Sequence, residues 1–145
     1  MRKFIVSAFA AMALAAAAHA QAPARLDANT ATAAQLDTVS ELTAAQKQTI
    51  ASKRPFAGAA AFDATVGSGL STEQKTALYS KVFVPIDLNK ATREEIMLIP
   101  GMTRRMAHEF EEYRPYTSLA QFDKEIGKYV DANEVARLRS YVVLK

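Results

Sequence analysis

Ile99-Pro100-Gly101-Met102-Thr103-Arg104-Arg105-Met106-Ala107-His108-Glu109-Phe110 is the stretch that decides the fold. Pro100-Gly101 ends one short helix and Thr103 is placed to cap the next. Glycine tolerates positive φ, so Gly101 allows a tight turn, and Met102 behind it plugs the gap between the two helices. Ala107 is small enough to let the second helix approach the first closely, and Phe110 follows three residues later on the same face. Backbone N–H groups at the start of that second helix are placed to hold a phosphate oxygen.

Outward from this stretch, residues 26–85 align without a gap on residues 86–145 at a constant offset of 60, with 14 identities. Among them are Asp27 with Asp87, Asn29 with Asn89, Thr43 with Thr103, Arg54-Pro55 with Arg114-Pro115, Phe62-Asp63 with Phe122-Asp123, and Gly67 with Gly127. A fixed offset that keeps Pro, Gly and aromatic positions reads as a duplicated unit.

Each copy opens on Asp-x-Asn-x-Ala-Thr, in which Asn is read as making a turn and Thr as capping a helix. Thr32 with Gln35 and Thr92 with Glu95 form capping boxes, and Leu36, Val39, Ile96 and Ile99 lie at the spacing of a buried face. A second helix follows Thr43 or Thr103 and stops at the Arg-Pro pair. A third starts near Ala59 or Ser118, and Gly67 and Gly127 are expected to close it as left-handed caps. A fourth starts at Ser71 or Asp131 and buries Leu78 and Val82, or Leu138 and Val142. Four short helices per copy, and no alternating run long enough for a sheet, predict an all-α protein without strand pairs.

Upstream, Arg2 and Lys3 precede the apolar run Phe4 to Ala18, and Ala18-His19-Ala20 precedes Gln21, which is the layout of a secretory signal peptide cleaved after Ala20. The expected organisation is a signal peptide over 1–20, a linker over 21–25 and units over 26–85 and 86–145. That places the protein in the periplasm or outside the cell. The net charge is +3 for all 145 residues. Without Arg2 and Lys3 it falls to 16 Lys+Arg against 15 Asp+Glu, which removes any global electrostatic argument for nucleic acid. The chain has no cysteine, so packing and helix ends must supply its stability. His108 is the one histidine outside the signal segment and has no Cys or second His to join it, which argues against a metal centre and against a Ser/His/Asp triad. No Gly-rich phosphate loop, cofactor motif or small-molecule substrate site is evident, and no enzymatic role is expected.

The Gly101 hairpin, with Ile86-Asp87-Leu88-Asn89 ahead of it and Arg114 behind, resembles the helix-hairpin-helix motif, and residues 86–145 as a whole resemble the ComEA-type competence domain of exported bacterial DNA receptors. That resemblance implies a pair of hairpins in each unit, no catalysis, and binding of double-stranded DNA through its backbone without sequence preference. It implies a site at Gly101, Met102, Thr103, Arg104 and Arg105, with a secondary one at Gly127 and Lys128. The departures from the family pattern are Thr103 where a second hairpin glycine is usual, and Glu41 at the glycine position of the first copy. A carboxylate there repels phosphate, and Glu41→Gly is expected to restore the turn. The fold with degraded turns is also similar to the small extrinsic lumenal protein of photosystem II, which serves protein docking.

Arg104 and Arg105 stand at a helix start, where the macrodipole disfavours cations, so a bound anion would account for them. Pairing with Glu109, Glu111 or Glu112 accounts for them equally well on sequence. The alternative function is a structural or protein-interaction module of the cell envelope, with a protein partner in place of DNA. Lys124, Lys128, Arg137 and Arg139 extend a basic surface if they face the same way as Arg105.

Overall fold

The computed structural model describes residues 25–145; the segment 1–20, its cleavage point and linker residues 21–24 lie outside them. Among the described residues, the first part of the chain runs β1 (Leu26–Asp27), α1 (Ala33–Asp37), α2 (Ala44–Lys53), α3 (Ala59–Val66), α4 (Thr72–Tyr79) and β2 (Val82–Phe83). The second runs β3 (Ile86–Asp87), α5 (Arg93–Met97), α6 (Arg104–Glu112), α7 (Leu119–Ile126), α8 (Ala132–Arg139) and β4 (Val142–Val143). Every element of the first series recurs sixty residues later, with α6 one residue shorter at its end than α2. The protein is mainly helical.

Strand pairs are nonetheless present, which corrects the expectation that there would be none. β1 pairs in parallel with β2, Leu26 opposite Val82, and β3 pairs in parallel with β4, Ile86 opposite Val142. Each bridge ties the first residues of a sixty-residue series to its last. Two residues are too few to leave an alternating pattern in the sequence.

The caps are the ones the sequence spells. Thr32, Thr43, Ser71 and Thr92 each accept from the N3 amide while the N3 Gln or Glu side chain accepts from the cap's own N–H. Ser118 and Gln121 stand at the same spacing and are expected to form another capping box, but only half of it forms: Ser118 Oγ accepts the Gln121 N–H, while the Gln121 side chain accepts from Thr117 instead.

The repeated Asp and Asn have distinct tasks, and this revises their reading as simple turn formers. Asp27 and Asp87 make the turn, each carboxylate accepting the N–H of the Asn two residues on. Asn29 and Asn89 then reach across 27 residues: the Asn89 amide donates to Tyr116 O at 2.9 Å and accepts from Tyr116 N at 2.7 Å, and Asn29 does the same with Phe56. Each amide acts as a one-residue strand that fixes the chain just after the Arg-Pro pair. Arg114 adds hydrogen bonds to Leu88 O and Ala91 O.

A single apolar core runs through both series. Phe62 packs edge-on against Phe56 and Phe83, and Phe110 against Phe122. Where the series meet, Phe83 packs edge-on against Tyr141 with centroids 5.3 Å apart, and the Tyr141 hydroxyl donates to Tyr79 O. Arg25 lies over the Tyr141 ring and donates to Tyr79 O and Ser140 Oγ, and burial lowers its pKa to about 10. Glu95 accepts the N–H of Thr92 and also that of Ala60 at the start of α3.

Gly67 and Gly127 are not left-handed caps: their φ values are −83° and −61°. Positive φ falls instead on Gly69 and Gly101. What Gly67 and Gly127 require is space. A Cβ on Gly67 would stand 2.0 Å from the Tyr79 hydroxyl, and one on Gly127 would stand 2.8 Å from Asp123 O.

Candidate nucleic-acid interface

The turn between α5 and α6 is built from the core outward. Ile96 and Ile99 are buried, Met102 N donates to Ile99 O at 3.0 Å, and Gly101 takes φ +76° between them. Met102 packs partly against the core, and Ala107 is fully buried where α6 leans on α5. Arg137 of α8 completes the turn. Its Nη1 donates to Pro100 O at 2.7 Å, while Nε and Nη2 bond Glu134 at 2.7 and 2.6 Å. The Glu134 hydrogen bonds hold the Arg137 guanidinium above its ordinary pKa.

At the start of α6, Thr103 Oγ1 accepts from Met106 N at 3.1 Å. Position N3 is a methionine, so nothing returns to the Thr103 N–H. Among the described residues, the N–H groups of Thr103, Arg104 and Arg105 meet no protein acceptor, and all three residues are exposed. The corresponding starts are closed or negative. The Thr43 N–H donates to Gln46 Oε1 at 2.9 Å, the Ser71 N–H donates to Gln74 Oε1 at 2.8 Å, and α8 begins under the carboxylate of Asp131. Glu41 lies in the turn before α2 and accepts from Ser40.

Of the three carboxylates along α6, Glu109 hydrogen-bonds Tyr129 and the other two face side chains away from the turn. Glu111 pairs with Arg93, whose hydrogen bond holds the carboxyl below its ordinary pKa, and Glu112 faces His108 at 3.7 Å. Arg104 and Arg105 join none of the ion pairs among the described residues. Of the predicted site residues, Gly101, Thr103, Arg104 and Arg105 form one exposed corner, whereas Met102 turns its side chain toward the core and spends its N–H on Ile99 O.

The turn at Gly127 and Lys128 differs. Gly127 N donates to Asp123 O, Lys128 N to Glu125 O and Tyr129 N to Ile126 O, so its amides are spent, and Lys128 Nζ pairs with Glu125. Arg139 pairs with Asp123 and Arg137 with Glu134, so of that basic block Lys124 alone joins no ion pair among the described residues. The role of Arg137 under Pro100 escapes sequence reading because the partners stand 37 residues apart.

Beside the same corner, α4 and the turn enclose a cleft of about 250 Å³ lined by Thr72, Lys75, Tyr79, Met97, Pro100 and Met102. Lys75 pairs with Asp63 at 2.7 Å, and Asp63 also accepts from the Tyr79 hydroxyl. Among the described residues, no cluster of His, Cys, Asp and Glu is arranged to hold a metal ion, and no helix is long and apolar enough to cross a membrane. No protein-family model matches the chain, and no curated protein or solved structure does either.

Proposed function

We propose that this protein is an exported, non-catalytic DNA-binding protein built from two tandem helix-hairpin-helix units, of the kind its resemblance to the ComEA-type domain implies. The second unit holds duplex DNA by its backbone, without sequence preference. The observation that carries the reading is the start of α6, where three N–H groups stand beside two arginines, the former without acceptors and the latter without carboxylate partners among the described residues. A phosphate oxygen there satisfies the donors and offsets the cations that the helix dipole disfavours.

The first unit serves as a packing partner in this reading, since its turns are closed by Gln46 and Gln74. Those closed turns are also what favours the second reading, a protein-interaction module of the cell envelope. Few phosphate contacts make the binding modest and dependent on salt. The log of the association constant should fall against the log of salt with a slope of about −2 to −4. Fluorescence anisotropy of a labelled duplex from low to physiological salt checks this. Arg104→Ala/Arg105→Ala should weaken every duplex alike and flatten the slope by about one to two units, with the fold unchanged. No binding of the parent protein at low salt would leave the interaction module as the standing reading.

A further inference from the structure

Tyr129, just past the Gly127 turn, is one of two large apolar side chains exposed among the described residues, at 37%. Its ring is held in place. Its hydroxyl lies 2.7 Å from the Tyr113 hydroxyl, and the two rings stand 6.5 Å apart at 49°. The Arg105 guanidinium lies over the Tyr129 ring, 6.0 Å from its centroid, and Lys128 Nζ lies 5.0 Å from the Tyr113 ring. Hydrogen bonds to Tyr113 and Glu109 keep the Tyr129 phenol above its ordinary pKa, so the ring stays neutral. Glu125 faces Lys128 and Glu109 stands beside Tyr129 and Arg105, so the group as a whole is close to neutral and Arg105 acts on the ring as a local cation.

A core aromatic has no reason to present a face to water, and a merely solvated one has no reason to be fixed by a second phenol. The separation of about 6 Å between ring and guanidinium falls just short of two base-stacking steps of about 3.4 Å. A small movement of the Arg105 side chain admits one planar base between them. The backbone of Arg105 meanwhile belongs to the open start of α6.

Resting on the DNA-binding reading above, we propose that Tyr129, braced by Tyr113 and covered by Arg105, stacks one unpaired nucleobase, so that the protein favours duplex ends carrying a single-stranded overhang over uninterrupted duplex. A base inside a duplex offers no free face to the ring, whereas an overhanging base does, and stacking on an aromatic is indifferent to base identity.

The test compares the purified protein on a dumbbell duplex closed at both ends with the same duplex bearing a four-nucleotide overhang. The overhang should bind about tenfold tighter, the scale of one stacked base. Tyr129→Ala should abolish that preference while leaving dumbbell affinity within about twofold, and Tyr129→Phe, which keeps the ring, should retain most of it. Equal affinity of the parent for the two ligands, or a preference that survives Tyr129→Ala, overturns the stacking proposal and leaves the DNA-binding reading intact. Binding of the overhang without binding of the dumbbell overturns the duplex reading and upholds this one. Binding of neither overturns both.

Discussion

Asn89 shows how much a single side chain settles in this chain. Its amide both donates to and accepts from the backbone of Tyr116, and Tyr116 carries the chain from the end of α6 into α7. Removing the amide leaves both the N–H and the C=O of Tyr116 without this partner, at a cost of about 1–3 kcal/mol for a group left without a hydrogen bond. Asn89→Ala should therefore lower stability by that amount in urea denaturation with an unchanged m-value. Asn89→Asp keeps the acceptor for Tyr116 N but turns the donor into an oxygen facing Tyr116 O, and it should destabilise as well. An Asp variant as stable as the parent would mean that the amide donor contributes nothing. Residue type alone read Asn89 as a turn former, because asparagine is common in turns. Its actual partner lies 27 residues away, beyond any local signal.

Helices were legible where their determinants are local. Thr32, Thr43, Ser71 and Thr92 each stand three residues before a Gln or Glu, and each starts a helix with both cap hydrogen bonds made. The strands and the Gly67 and Gly127 conformations were not legible. A two-residue bridge leaves no periodicity, and a glycine kept for close approach looks the same in sequence as one kept for positive φ. Within the candidate site, Gly101 and the two arginines could be read from sequence, but the open N–H of Thr103 follows from Met106 standing where Gln46 stands in the earlier helix. That difference revises what Glu41 does. No non-glycine residue has positive φ among the described residues, so the Glu41 turn is not the Gly101 turn with a misplaced side chain. Glu41→Gly alone should leave duplex affinity unchanged within about twofold, since Gln46 still occupies the Thr43 N–H. Glu41→Gly/Gln46→Met removes both the carboxylate and the lock, and anisotropy titration should find it tighter than the parent. If the single variant already binds more tightly, the cap is not what closes the first unit.

At the scale of the whole molecule, the two sixty-residue series share one continuous apolar core. Phe83 touches the aromatic set of the first series through Phe62 and Tyr79, and touches the second through Tyr141. Arg25 clasps Tyr79 of one series and Ser140 of the other, and Glu95 bridges the starts of α3 and α5. A seam with a fully buried ring at its centre argues for one cooperative body, so the open corner at α6 is presented on a rigid support. Thermal unfolding followed by far-ultraviolet circular dichroism and by the tyrosine signal should give one coincident transition. Phe83→Ala removes a ring that both series share. It should cost about 3–5 kcal/mol, a large part of the total for a protein of this size, and lower the midpoint of that single transition. Two resolved transitions in the parent would mean that the series fold separately and the seam is incidental. A Phe83→Ala protein that splits into two transitions, one at the parent midpoint, would place the loss in one series alone and contradict a shared core.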